Sequence, residues 1–264
     1  MIRVEDIRVT FNAGTIMETR ALQGLSAAID AGEFVTVIGS NGAGKTTLLN
    51  CLTGEVAPSA GRIVIGDTEV TGWPAPRRAA LVARVFQDPL AGTCEGLTIE
   101  ENLALAAARG VRRGFDKALT QQRRQEFRDK IARLGLNLEN RLGDRMGLLS
   151  GGQRQAVSLV MATLRPTRIL LLDEHTAALD PRMQAFVLEL TRELVESERL
   201  TTLMVTHSMR QALSFGTRSL MLHEGRVVLD VKGEERSRLE VADLMALFAK
   251  VRGEELDSDS LLLS

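Results

Sequence analysis

The chain has 264 residues, 44% of them hydrophobic, which is enough for one large domain or two small lobes around a buried core. Its 33 basic and 34 acidic residues nearly cancel, so its overall charge gives no case for nucleic acid as a partner. Cys51 and Cys94 lack CxxC spacing, which predicts neither a structural zinc site nor a disulfide framework.

The start of the chain is charged. It carries Arg3, Glu5, Asp6 and Arg8 where a secretory signal would need an apolar run. No stretch of the sequence approaches the roughly 18 consecutive apolar residues of a membrane-spanning helix. We therefore expect a cytoplasmic protein whose association with a membrane, if it has one, is peripheral.

Short apolar runs recur along the chain, with turn residues between them. Several runs are unbroken rather than alternating, as expected for strands that are buried on both faces of a parallel sheet. Helical patterns lie between them, after Lys45 and over residues 182–198 and 209–215. This alternation predicts an α/β fold with a parallel sheet and helices on both sides. The predicted strands are residues 34–38, 62–65, 84–86, 169–172, 202–205 and 218–222.

Two further segments have the pattern of β-hairpins. Residues 63–70 turn at Gly66 and Asp67, and residues 222–229 turn at Glu224 and Gly225. Together with the N-terminal segment, these hairpins predict a small antiparallel sheet beside the parallel one.

The segment from about 98 to 164 has no convincing strand pattern and is rich in Ala, Leu, Arg and Gln, all good helix formers. We interpret it as an inserted helical lobe. Within it, Phe127, Ile131 and Leu134 fall at i, i+4 and i+7 among basic residues. Such a helix commonly packs its apolar side into the protein core, and the alternative is a basic face for lipid headgroups. Near the C-terminus, an amphipathic stretch over residues 241–248 precedes an acidic tail that we expect to be frayed.

The sequence G-S-N-G-A-G-K-T-T fills every fixed position of the phosphate-loop pattern GxxxxGK[ST], between a predicted strand and a predicted helix. Glycines let backbone N–H groups close around phosphates, and the helix N-terminus adds partial positive charge. Lys45 can reach the β- and γ-phosphates, and the Thr46 hydroxyl can ligate Mg²⁺. The loop therefore predicts a site for a nucleoside triphosphate. Its residues are Gly39, Ser40, Asn41, Gly42, Ala43, Gly44, Lys45, Thr46 and Thr47.

A second motif, L-S-G-G-Q at positions 149–153, opens another predicted helix. In this position it resembles the signature of the ATP-binding subunits of ABC transporters. Their other motifs have counterparts in the same order along the chain, over about residues 1 to 230. These counterparts are Gln87 after the run 84–86, Asp173 and Glu174 after the run 169–172, A-L-D-P at 178–181, and His207 after the run 202–205.

The resemblance implies a fold, a RecA-like P-loop NTPase core with a small antiparallel β subdomain and an inserted α-helical subdomain. It also implies a single ABC ATPase domain over residues 1–264. We expect its parts to be the nucleotide-binding core with the antiparallel subdomain (1–97 and 165–233), the helical signature subdomain (98–164), and a C-terminal helix and tail (234–264).

Roles for single residues follow from the same resemblance. Asp173 resembles the aspartate that holds Mg²⁺ through water, and Glu174 resembles the catalytic carboxylate that polarises the attacking water. His207 resembles the histidine that contacts the γ-phosphate and orients that water. Gln87 resembles the glutamine that touches the metal and reports to the membrane partner. A Glu at the end of a strand and facing the site can act as a general base, which agrees with this assignment.

The signature implies a dimer. In the family it meets the γ-phosphate of the ATP held by the opposite subunit, so two ATP molecules lie sandwiched between two chains, and we expect a second copy of this chain as the partner. Asp180 resembles the aspartate that makes a contact between the subunits. The signature residues implied in ATP binding are Ser150, Gly151, Gly152 and Gln153.

Three positions depart from the family, one of them Ala177, where Ser often precedes Ala-Leu-Asp. The family usually stacks an aromatic residue, often Tyr, on adenine; this chain has no Tyr, and Phe11 is the candidate by position. The alternative for Phe11 is an apolar residue that merely ends a strand. His175 stands where many members have Pro. Because side chains alternate in an extended chain, we expect His175 to face away from a site that Glu174 faces.

The resemblance also implies partners in the membrane. We expect integral membrane permease subunits and a periplasmic or lipoprotein solute-binding protein, with the chain at the cytoplasmic face of the inner membrane. Residues 88–99 would lie where the helical lobe meets the permease's coupling helix. Residues 11–15, 20–24 and 173–180 more narrowly resemble ATPases of importers proposed to carry aromatic amino acids.

Two other functions remain open at this point. One is a soluble ABC-type ATPase of translation or DNA repair, although such proteins commonly have two nucleotide-binding units or a long coiled-coil insertion, and neither is apparent. The other is a regulator that binds ATP without turnover, against which the intact Glu174 and His207 argue.

Overall fold

The computed structural model describes residues 1–111, 114 and 117–250. In the described part of the chain the strands are β1 (Ile2–Phe11), β2 (Thr19–Ile29), β3 (Phe34–Gly39), β4 (Ala60–Ile65), β5 (Thr68–Glu69), β6 (Val82–Val85), β7 (Ile169–Asp173), β8 (Thr202–Val205), β9 (Arg218–His223) and β10 (Arg226–Lys232). The helices are α1 (Lys45–Thr53), α2 (Ala75–Arg78), α3 (Ile99–Ala107), α4 (Gln121–Ala132), α5 (Gly151–Thr163), α6 (Pro181–Glu198), α7 (Met209–Ser214), α8 (Gly233–Ser237) and α9 (241–250), with a 3₁₀ turn at Met146–Leu148.

A six-stranded sheet forms the centre of the molecule, in the order β10-β9-β3-β8-β7-β6. All neighbouring strands in it are parallel except β10, which pairs antiparallel with β9. Every residue of β7 and β8 is buried, because helices or a second sheet cover both faces. The unbroken apolar runs therefore predicted these strands correctly.

A four-stranded antiparallel sheet, in the order β2-β1-β4-β5, packs beside the central sheet. The predicted hairpin at residues 63–70 is confirmed, since Ile65 pairs with Thr68 across the turn. The hairpin at 222–229 is also confirmed, but its assignment to this small sheet is wrong. Strand β9 is buried throughout and pairs parallel with β3, so β9 and β10 extend the edge of the central sheet instead.

Two cores cover the two faces of the central sheet. Leu170 and Leu172 of β7 pack with the helical segment on one face, while Leu171 packs with the antiparallel sheet and α1 on the other. This division follows from the alternation of side chains along a strand. The helical core contains Phe127, Ile131 and Leu134. Their apolar spacing thus reflects core packing, as the commoner interpretation predicted.

Helix α9 follows the antiparallel edge of the central sheet. Its Leu244 is fully buried and packs with Ile38, Ala212 and Met221 in a third, smaller core. The amphipathic stretch predicted at 241–248 is confirmed as a helix, and the tail predicted to be frayed lies outside the described residues. Within the ranges described above, no helix is both long enough and apolar enough to cross a membrane.

Candidate functional site

Four adjacent parallel strands bring part of the predicted site to one edge of the central sheet. The phosphate loop follows β3, His207 follows β8, Asp173 ends β7 and Gln87 follows β6. Because these strands are parallel neighbours, their carboxyl ends meet at the same edge, which is where open α/β sheets bind ligands.

The phosphate loop requires glycine at its ends. Gly44 has φ +95°, a left-handed conformation, and a Cβ there would lie 2.6 Å from the carbonyl oxygen of Ala21. A Cβ on Gly39 would lie 2.3 Å from the carbonyl oxygen of Leu222. The loop is therefore held tightly between β2 and β9 before α1 begins at Lys45.

Lys45 is buried in this loop. Its Nζ donates to the carbonyl oxygens of Gly39 and Ser40 at 2.8 and 2.9 Å. Burial lowers the pKa of the Lys45 ammonium, an effect that the nearby carboxylates of Glu174 and Asp173 oppose. The positive charge is thus fixed at the end of the sheet, between the loop and two carboxylates.

Glu174 and His207 are in direct contact. His207 Nε2 lies 2.6 Å from Glu174 Oε1, and the Glu174 side chain is nearly buried while that of His207 is half exposed. The imidazole can therefore orient the carboxylate and still reach a ligand at the open side. This pair has the geometry of a base and the group that positions it.

Asp173 is buried beside them. Its Oδ2 accepts a hydrogen bond from Arg84 Nη2 at 2.6 Å. Mg²⁺ prefers oxygen ligands. The predicted metal site consists of the Thr46 hydroxyl, the Gln87 side-chain amide and the Asp173 carboxylate, all oxygen donors at this one edge. The residues present therefore fit Mg²⁺.

His175 faces into the protein, towards α6. It is buried, its Nε2 lies 3.0 Å from Thr191 Oγ1 on α6, and burial lowers its pKa to about 4. The expectation that His175 faces away from the site agrees with these contacts, but the reason given for it is wrong. Glu174 has φ +47°, so the chain has already left the extended conformation on which alternation depends.

The buried His175 imidazole predicts an acid-sensitive fold. Its folded pKa lies below its ordinary value of 6.5, so between these values the unfolded chain binds more protons and the free energy of unfolding falls as the pH falls. The His175→Gln variant can keep the hydrogen bond to Thr191. Relative to it, the wild type should lose on the order of 1 kcal/mol of unfolding free energy between pH 6.5 and 5. Urea unfolding at both pH values measures this difference.

His207→Gln is the matched control for this measurement. It removes a different, half-exposed imidazole and leaves His175 in place, so it should remain acid-sensitive where His175→Gln does not. If His175→Gln is equally acid-sensitive, His175 is not the group responsible.

The signature segment forms the N-terminus of α5. Ser150 Oγ accepts from the N–H of Gln153 and Gln153 Oε1 accepts from the N–H of Ser150, a capping box. Ser150 and Gly151 are exposed, whereas Gly152 is buried and a Cβ on it would lie 2.6 Å from Met183 Cε on α6. The start of α5 is thus packed closely against α6, while its first backbone N–H groups lie at the surface.

Asp180 and Phe11 lie at the ends of other elements. Asp180 caps α6, its Oδ1 accepting from the N–H groups of Arg182 and Met183 at 3.1 Å each. Phe11 ends β1 and is 40% exposed, so its ring is available to a ligand.

Sequence reasoning missed two polar residues near the site. Arg84 holds Asp173, and the fully buried Gln155 on α5 donates from Nε2 to the carbonyl oxygen of Phe86 at 3.0 Å, directly before Gln87. No spacing pattern points to either one. The available signal for Arg84 was a charged residue inside a predicted buried strand.

The comparisons with known proteins agree with this geometry. The family model described as ABC transporter matches residues 22–177. A tyrosine transport ATP-binding protein of Clostridioides difficile (strain R20291) is 41% identical over 248 residues, 94% of this chain and 98% of that protein. The thiamine import ATP-binding protein ThiQ of Salmonella choleraesuis (strain SC-B67) is 36% identical over 79% of this chain and 83% of its own length.

A solved structure is also similar. It is the dimeric, post-hydrolysis state of an ATP-binding cassette bound to ADP and phosphate. It aligns with a TM-score of 0.76 and 27% identity, over 88% of this chain and 98% of that one.

Proposed function

The chain belongs to the ABC transporter family as an ATP-binding, ATP-hydrolysing subunit, and from this premise we propose how its residues turn over ATP and which partners they serve. The observation that carries the proposal is the meeting of the phosphate loop, Asp173, Glu174 and His207 at the carboxyl ends of adjacent strands. Phosphoryl transfer requires mainly positioning and neutralisation of charge, and this edge of the sheet offers both.

The phosphate loop binds the phosphates of ATP. Its backbone N–H groups and the N-terminus of α1 face the phosphates, and Lys45 places its charge at the β- and γ-phosphates. Thr46, Gln87 and Asp173 would hold Mg²⁺. When bound, Mg²⁺ neutralises charge that develops on the phosphate oxygens.

Glu174 activates the attacking water. Its carboxylate accepts the proton of the water, or polarises it, while His207 fixes the carboxylate through the 2.6 Å contact. Because the His207 side chain is half exposed, it can also contact the γ-phosphate. Phe11 stacks on the adenine ring, a role that its exposed position at the end of β1 supports.

The working unit is an ATP-sandwich dimer of two copies of this chain. The open amide end of α5, with Ser150, Gly151 and Gln153, would meet the γ-phosphate bound to the other copy. Asp180 lies at the start of α6, against which the signature turn packs through Met183. The dimeric state of the similar solved structure supports this arrangement.

A cleft of about 1040 Å³ next to Gln87 would receive the permease. It lies between β6 and the helices α3 and α5, and its lining includes Trp73, Phe86, Leu105, Ala106, Val111 and Met161. Leu105 and Val111 are exposed apolar side chains, which favours a helix of a partner protein as the occupant. Docking there would place the chain at the cytoplasmic face of the membrane as a peripheral subunit.

Leu105→Arg tests this docking site. The substitution places a charge in the apolar cleft, so we expect the affinity for the permease in detergent to fall by about tenfold or more. Basal ATP hydrolysis and thermal stability should not change, because Leu105 is exposed in the isolated chain. Met245→Arg, on the exposed side of α9, is the control and should bind the permease normally. Equal binding by both variants would place the docking site elsewhere.

We further propose that the transporter is an importer of a small solute of the aromatic amino acid class, supplied by a separate solute-binding protein. The relative named for tyrosine transport is similar over nearly the whole chain, which favours this class over thiamine. The relatives named above are transport or import proteins, so a role in translation or DNA repair is not favoured.

A further inference from the structure

Arg84 makes a buried ion pair with the carboxylate proposed to serve Mg²⁺. It lies on β6, three residues before Gln87, and its Nη2 is 2.6 Å from Asp173 Oδ2. The two side chains are only 8% and 11% exposed. In the register of the sheet, Arg84 stands opposite Leu171, so its side chain extends along the strands to reach the carboxyl end of β7.

The other arm of the same guanidinium binds the helix that follows the phosphate loop. Nη1 donates to Asn50 Oδ1 of α1 at 2.8 Å and to Glu55 Oε2 at 3.1 Å. The guanidinium carbon also lies 4.7 Å from the centre of the Phe86 ring. One side chain therefore connects the carboxylate at the end of β7 to α1 and to the strand that leads to Gln87.

This geometry determines which carboxylate oxygen of Asp173 is already hydrogen-bonded and which is left for a ligand. Oδ2 is bonded to Arg84, while Oδ1 forms no hydrogen bond with any residue in the described ranges. A planar guanidinium with two branches sets the direction of its acceptors, whereas the ammonium of Lys acts as a point charge. Since burying an ion pair costs desolvation energy, stability alone is a weak explanation for its presence.

We propose that Arg84 is a positioning residue for the magnesium site. It fixes Asp173 through Oδ2 and leaves Oδ1 free to bind Mg²⁺ or a water on Mg²⁺. It also holds this carboxylate at a fixed position relative to α1 and the phosphate loop. The inference rests on the proposed metal role of Asp173. Groups that orient metal ligands typically contribute about 10- to 100-fold to metal affinity or activity.

Arg84→Lys is the decisive variant, because it keeps the charge and removes only the two-branched geometry. The measurement is calorimetric ATP affinity in Mg²⁺ and in EDTA. We expect the gain in affinity that Mg²⁺ provides to fall about 10-fold, with the affinity in EDTA unchanged because the phosphate loop is intact. Asn50→Ala, which leaves both charges in place and removes one acceptor of Nη1, should lower the Mg²⁺-dependent gain in affinity by about threefold, the usual effect of losing one hydrogen bond.

Arg218→Lys is the matched control. Arg218 is an equally buried, forked arginine that pairs with Asp230 and Glu33 away from the site. Its variant should lose thermal stability without any change in Mg²⁺ dependence. If Arg84→Lys and Asn50→Ala behave like this control, Arg84 is only structural and the proposal is overturned.

Asp173→Asn separates this failure from a failure of the proposed function. If Asp173→Asn abolishes the gain from Mg²⁺ while Arg84→Lys keeps it, only the role of Arg84 is refuted. If Asp173→Asn also keeps the full gain, Asp173 is not the metal carboxylate and both proposals fall.

Discussion

Replacing Glu174 with Gln should abolish ATP turnover while ATP still binds. The amide has the size of the carboxylate and can still contact His207, but it cannot take a proton from water. General base catalysis typically contributes roughly 10² to 10⁴-fold, so phosphate release should fall by at least about 100-fold. In the presence of ATP and Mg²⁺, size-exclusion chromatography should show a stable dimer, since ATP persists between the two copies.

Glu189→Gln is the control for this experiment. Glu189 lies on α6 and pairs with Arg192 at the surface, so its loss should leave both turnover and the ATP-dependent dimer unchanged. Normal hydrolysis by Glu174→Gln would refute the assignment of the base. Lost hydrolysis with lost ATP affinity would indicate a binding role instead.

Replacing Lys45 with Met should remove nucleotide binding itself. The variant loses the ammonium that we place at the β- and γ-phosphates, and hydrogen bonds to charged groups contribute roughly 1.5–3 kcal/mol each. The dissociation constant for ATP should therefore rise by about 10- to 150-fold, and turnover at moderate ATP concentrations should be undetectable. Calorimetric titration with ATP measures the first effect directly.

Two comparisons separate a lost charge from a damaged loop. Lys232→Met removes an exposed lysine of β10 and should bind ATP normally. Thermal unfolding without nucleotide reports on the loop, because Lys45 also donates to the carbonyl oxygens of Gly39 and Ser40. An ATP affinity within about twofold of the wild type would contradict the assigned role of Lys45.

The parts of the fold that depend on local patterns could be predicted from the sequence. Apolar runs located five of the six strands of the central sheet, although the run at 62–65 forms β4 of the antiparallel sheet. The phosphate-loop pattern located the turn between β3 and α1. The turn at Glu224 and Gly225 identified a hairpin but could not say which sheet it joins. The sheet that a hairpin joins depends on the strand with which it pairs. Here that strand is β3, which is distant in the sequence from β9.

The site shows the same division. The motif residues that follow strands lie at one edge of the sheet, and the signature begins α5 instead. Arg84 and Gln155 have no motif and were missed. A polar residue acquires such a role only when folding buries it beside a partner far along the chain. His175 illustrates a related limit, because the left-handed conformation of Glu174 could not be derived from residue types alone.

The burial of β7 on both faces has a consequence for mutational tolerance. In a strand with one solvent-exposed face, every second position accepts polar substitutions. Here Leu170, Leu171 and Leu172 each pack into one of the two cores. A polar residue at any of them would be left without a hydrogen-bond partner in an apolar environment. The strand that carries Asp173 should therefore tolerate no polar substitution at these positions, and amide hydrogen exchange should be slowest there.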